Sequence, residues 1–169
     1  SLMDMKVSAQ DLNNVRLAGT LKLKNNQFRF GDPLPAPDLS VAIDLTAAVQ
    51  EQGVNIRQLD LTIGENNRVA ITGQASELAK DPRFNIKLNE AVFHIGDLVE
   101  WAGTMIPDIK ASGKIRVSNV EIKGHLPGFK PGDIELVNAT IGVQNLSAQY
   151  PALSAELKGV DVDIDLANV

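Results

Sequence analysis

Apolar and polar residues alternate with a period of two along most of this chain. Leu17-x-Gly19-x-Leu21-x-Leu23 is followed by Phe28-x-Phe30, Leu39-x-Val41-x-Ile43-x-Leu45, Leu59-x-Leu61-x-Ile63, Val69-x-Ile71-x-Gly73 and Phe84-x-Ile86-x-Leu88. After an interruption the pattern resumes in Ile115-x-Val117, Val120-x-Ile122, Ile134-x-Leu136, Ala139-x-Ile141-x-Val143 and Val160-x-Val162-x-Ile164-x-Leu166. Successive strand side chains point to opposite faces, so each run predicts a strand with one apolar and one polar face. Helix-covered parallel sheets carry continuous apolar runs instead. The alternation therefore predicts an all-β chain built on a mainly antiparallel sheet with one wet face.

Turn residues punctuate the runs at Asn25-Asn26, Gly31-Asp32-Pro33, Gln52-Gly53, Gly64-Glu65-Asn66-Asn67 and Pro127 to Gly132, which implies strands of about 7–11 residues. Pro33-Leu34-Pro35-Ala36-Pro37 reads as an extended, polyproline-like connection. One segment leaves the pattern. Leu98, Trp101, Ala102 and Met105 recur at helical spacing, Asp97 suits an N-cap and Pro107 follows, so a short helix is expected near residues 96–105. Leu98 and Trp101 are its expected packing anchors.

The chain also repeats. Ala18-Gly19-Thr20-Leu21-Lys22-Leu23-Lys24-Asn25 matches Ser112-Gly113-Lys114-Ile115-Arg116-Val117-Ser118-Asn119, and Pro37-Asp38-Leu39-Ser40-Val41-Ala42-Ile43 matches Pro131-Gly132-Asp133-Ile134-Glu135-Leu136-Val137. We expect two units, 6–106 and a truncated 107–169, cut from a longer array in which each unit finishes its core against a neighbour. Residues 1–5 read as a disordered expression scar. Gly19, Gly73, Gly113 and Gly124 fall inside strand patterns, where they permit bending.

Composition narrows the function. The net charge of −5 argues against nucleic acid as a partner. The apolar 44% contains only 4% aromatics, so the surface it builds is aliphatic. With no cysteine and two histidines, thiol chemistry and multi-histidine metal centres are excluded. Asp161-x-Asp163-x-Asp165 offers three carboxylates on one strand face, yet lacks the glycine and closing glutamate of a calcium loop. It reads better as a solvated face. His94 and His125 show no partner pattern for catalysis, and no phosphate loop or nucleophile elbow occurs. Asn138-Ala139-Thr140 and Asn145-Leu146-Ser147 match the glycosylation sequon, a frequent chance pattern. We therefore expect no catalytic residue, no metal and no cofactor.

The segment Leu17-Ala18-Gly19-Thr20-Leu21-Lys22-Leu23, with Phe28-Arg29-Phe30 after it, resembles the opening of AsmA-like proteins. Gly53 to Gly64, Val69-Ala70-Ile71-Thr72-Gly73, and Asp81 to Leu88 with the helical segment behind it extend the resemblance over most of the chain. Proteins of the AsmA/TamB group are anchored in the inner membrane of Gram-negative bacteria and reach through the periplasm. Their long, curved, taco-like sheet has an apolar inner face and is linked to phospholipid movement and outer-membrane biogenesis. The resemblance implies a periplasmic location and phospholipid or fatty acyl chains as partners, alongside the remaining repeats of the same chain. Self-association through the apolar face or the sheet edges is a further expectation. No catalytic residue comes with the family.

The expected groove or core face comprises Leu17, Leu21, Leu23, Val41, Ile43, Leu45, Leu59, Leu61, Ile63, Val69, Ile71, Phe84, Ile86, Leu88, Ile115, Val117, Ile141, Val143, Val162, Ile164 and Leu166. The same alternation also fits a structural or adhesin-like β-sandwich with a closed core and no ligand.

Overall fold

The computed structural model describes residues 2–9, 11, 13–24, 27–30, 32–35, 37–102, 109–125, 134–150 and 155–167. Strands β1 (Leu2–Ala9), β2 (Asn14–Leu23), β5 (Leu39–Ala48), β6 (Gly53–Ile63), β7 (Asn67–Ser76), β8 (Arg83–His94), β9 (Lys110–His125), β10 (Ile134–Tyr150) and β11 (Ala155–Ala167) form one open, curved sheet in that order. Every neighbouring pair is antiparallel. Between β2 and β5 the chain makes a separate two-stranded hairpin, β3 (Gln27–Phe30) with β4 (Asp32–Pro35). The helix α1 (Ile95–Ala102) follows β8 directly. The fold is all-β.

Three expectations change. Residues 2–5, read as a disordered scar, belong to β1, which pairs with β2 along its whole length. Pro33 and Pro35, read as a polyproline-like connection, lie in β4 opposite Arg29 and Gln27. Each strand of a two-stranded hairpin has one unpaired side, and edge strands of this kind are where a sheet accommodates proline. The runs Ile115–Val117 and Val120–Ile122 are one 16-residue strand rather than two. The last part of the expected helix, residues 103–105 with Met105, lies outside the described residues, as does the boundary at 106–107.

The two sequence copies occupy adjacent strand pairs, β2 with β5 and β9 with β10. Their registers differ: Leu21 faces Val41, whereas Ile115 faces Val143. Pairing of β8 with β9 joins both copies in a single sheet.

Register carries the side-chain pattern from strand to strand. One rung runs Met3, Leu21, Val41, Leu61, Val69, Ala91, Val117, Ile141, Ile164, with an apolar residue in all nine strands. The rung one residue over runs Asp4, Thr20, Ala42, Asp60, Ala70, Glu90, Ser118, Thr140, Asp165 and belongs to the opposite, polar face. At about 4.8 Å per strand, the apolar rung is roughly 38 Å wide.

The sheet is curved, and its strands approach closely at two glycines. A Cβ built on Gly19 would overlap the Asp4 carbonyl oxygen and come within 2.7 Å of the Met5 Cα. One on Gly73 would lie 2.8 Å from the Asn85 carbonyl oxygen. In both cases the backbone of the neighbouring strand occupies the space a side chain would need. Only glycine accommodates that approach.

Candidate ligand-binding face

The expected groove residues share one face. Leu17, Leu45, Ile56, Gly73, Ile86 and Ile122 form one rung, and Gly19, Ile43, Leu59, Ile71, Leu88 and Val120 another. Leu23, Leu39 and Ile63 continue the face toward one end of the strands. Phe93, Ile115, Val143 and Val162 lie across the far strands, and Leu166 faces Ala139. At the other end Phe84 stands opposite Gly124, and its ring occupies the space a Cβ there would need.

This face has little cover. Ala91 and Ala139 are the buried apolar residues of the described chain, while Ile86, Val162 and Ile164 are exposed. The other groove positions are half-buried. The chain exposes 11402 Å², against about 8,100 Å² for a folded monomer of this mass. A sandwich would need a second sheet of matching size; among the described residues the only other sheet is the four-residue pair β3–β4.

Helix α1 closes one end of the face by packing against β8 and β9. Its anchor is Asn67, which is fully buried. The Asn67 Nδ2 donates to the Asp97 Oδ2 at 2.9 Å and to the Ile63 carbonyl at 3.3 Å, and the His94 N–H donates to its Oδ1 at 2.8 Å. Asn66 Nδ2 adds a 3.1 Å bond to the same Asp97 oxygen. Asp97 was expected as the N-cap but lies inside the first turn. There a carboxylate favours the helix dipole and also ties the helix to the β6–β7 turn. Trp101 lies over that turn, with its ring 3.2 Å from where a Cβ on Gly64 would be. Leu98 lies on the same helix. The hydropathy pattern located α1 but not Asn67, whose role depends on a cross-element contact.

The polar face carries ion pairs. Arg16 grips Asp44 through two bonds of 2.8 and 2.6 Å, and Glu90 sits between Arg68 and Arg116 at 2.9 Å from each. The Arg16 hydrogen bonds hold the Asp44 carboxyl below its ordinary pKa. Glu121 is held low first by the hydrogen bond from Asn85 and then by Lys123 and Lys87.

The remaining candidates are dispersed. His94 and His125 stand at opposite ends of the β8–β9 pair, eleven rungs or about 36 Å apart. His125 pairs with Asp81 beside a 490 Å³ depression that Ser76 and Arg83 also line. Arg83 separates Ser76 from His125, so serine and histidine are two strands, about 10 Å, apart. A nucleophile and its base need hydrogen-bond contact. Asp163 and Asp165 face Gly142 and Thr140 on β10, and Asp161 accepts the Asn145 N–H at 2.7 Å. No cluster of three metal-ligating side chains occurs among the described residues. None of their helices is long and apolar enough to cross a membrane. Compared with known proteins, the chain matches no family model, no curated protein and no solved structure.

Proposed function

We propose that this chain is a non-enzymatic domain of the bacterial envelope whose apolar sheet face carries the acyl chains of lipids. The observation behind this reading is the rung of nine apolar residues from Met3 to Ile164, left without a covering layer among the described residues. An aliphatic surface suits an acyl chain because it asks for no directed bonds. Each buried CH₂ contributes about 0.8 kcal/mol, so a few methylenes hold a lipid while leaving it free to slide. The low aromatic content keeps the face smooth. The resemblance to AsmA-like proteins adds the periplasm as the compartment and outer-membrane biogenesis as the process.

A fluorescent long-chain fatty acid tests the proposal. Saturable uptake is expected. Val41→Asp or Ile141→Asp, in the middle of the apolar face, should weaken uptake about tenfold or more, because a carboxylate there repels the alkyl chain. Asp60→Asn, on the polar face, should leave it unchanged. Absence of saturable uptake, or equal loss from the polar-face variant, would sink the proposal. Native mass spectrometry of protein purified from cells should also find phospholipid on the chain.

A further inference from the structure

We propose that β1 is a self-recognition strand, and that two copies of this chain pair β1 antiparallel about a two-fold axis at Met5. This inference stands apart from the acyl-chain reading, since it concerns the sheet's edge and not its face. Among the described residues β1 has a neighbour on one side only, β2, which leaves its other row of backbone donors and acceptors without a strand partner there. Leu2, Met3 and Val7 are 65%, 70% and 68% exposed, the highest values among the exposed large apolar residues. A long, apolar, uncovered edge is a template for another strand.

The sequence of β1 selects both partner and register. Met3, Met5 and Val7 stand on the apolar face and Asp4 and Lys6 on the polar face. Antiparallel partners share a face, so only registers pairing odd with odd positions keep the apolar face continuous. Centring on Met5 places Asp4 of each copy opposite Lys6 of the other, with Met3 opposite Val7 on the apolar side. Sliding one step either way stacks Asp4 on Asp4 or Lys6 on Lys6. Like charges directly opposite are destabilising, so one register survives. β11, the other edge, lacks this complementarity: Asp161, Asp163 and Asp165 would meet their own copies. β1 and β11 run in the same direction in this nine-stranded antiparallel meander, so joining β1 of one copy to β11 of another would give a parallel pair. The two-fold β1 pairing keeps the whole assembly antiparallel.

Charge reversal tests this by sedimentation equilibrium. The unaltered protein should be dimeric at micromolar concentration. Lys6→Asp and Asp4→Lys should each weaken the dimer about tenfold or more, because two attractive cross-strand pairs become two repulsive ones. Mixing the two single variants should restore association as a heterodimer, since one then carries two lysines opposite two aspartates. The swapped double variant Asp4→Lys/Lys6→Asp should dimerise like the unaltered protein. It also serves if a single variant fails to fold. A monomer throughout the concentration range would overturn the proposal. So would a dimer indifferent to the single reversals, or a swapped variant that stays monomeric.

Discussion

Replacing Asn67 probes the link between sheet and helix most directly. The side chain is fully buried and makes three bonds: to the Asp97 Oδ2, to the Ile63 carbonyl, and from the His94 N–H. Asn67→Ala deletes the bond to a charged acceptor, worth about 1.5–3 kcal/mol, and leaves the His94 N–H without its partner at a cost of about 1–3 kcal/mol. Part of this is recovered by water and by Asn66, which still reaches Asp97. A net loss of about 3 kcal/mol follows, or about 6–12 °C in Tm for a chain of this size. Asn67→Asp keeps the shape but sets a second carboxylate about 3 Å from the first. At neutral pH it should cost more than the alanine variant, because two like charges in contact repel each other.

Trp101 is the only tryptophan and lies against Gly64, so its fluorescence reports the helix while far-ultraviolet circular dichroism reports the sheet. Urea titrations of both variants should show Trp101 released at lower denaturant than in the unaltered protein. A change below about 0.5 kcal/mol for Asn67→Ala would refute the reasoning, as that is the scale of an ordinary surface substitution. An aspartate variant no worse than the alanine one at pH 7 would refute the electrostatic part.

Two further outcomes follow from the same geometry. Gly73→Ala should destabilise by about 1–3 kcal/mol, the reverse of the gain usual when alanine replaces a strand glycine, because its Cβ would meet the Asn85 carbonyl at 2.8 Å; a higher urea midpoint would show that the strands do not approach as closely as described. Asp44 and Glu121 have folded pKa values below their ordinary ones, so they bind fewer protons folded than unfolded at mildly acidic pH. Their contribution is present at neutral pH and is lost as pH falls through about 4 and below. Arg16→Gln should flatten that acid dependence, and an unchanged slope would show that the Arg16–Asp44 pair does not matter to it.

The strands were legible in the sequence because one wet and one apolar face impose a strict period of two. Their continuity was less so. Apolar residues three apart, as at Ile56 and Leu59, Leu88 and Ala91, Val117 and Val120, and Val143 and Leu146, break the alternation and read as strand ends. In the structure the strands run on across each break. Register shifts occur at Ile56–Leu59 and Val143–Leu146, and Asn119 and Asn145 adopt positive φ of 56° and 50°. An added residue in a bulge turns the following side chains to the other face, so a three-residue spacing restores the apolar face after it. Asparagine tolerates the left-handed conformation such a residue takes, and Asn beside a phase slip was a readable signal. β1 was missed for another reason: Met3, Met5 and Val7 do alternate, but three apolar positions in a mostly exposed strand resemble any flexible start. Asn67 left no trace in the pattern, since its partners come from separate elements.

Openness of the face is the part that alternation could not supply, because a closed core and an open trough use the same residues. Here area decides. The chain exposes about 3,300 Å² more than a compact monomer of its mass. A standard protein interface covers about 800 Å² on each partner. Pairing through β1 would cover one strand's edge, far less than the difference, so the edge and the face are separate demands on the surroundings. A partner at β1 widens the apolar face without covering it. Dimerisation therefore gives no shelter to Val41, Val117 or Ile141, and uptake of an acyl probe should survive loss of the dimer.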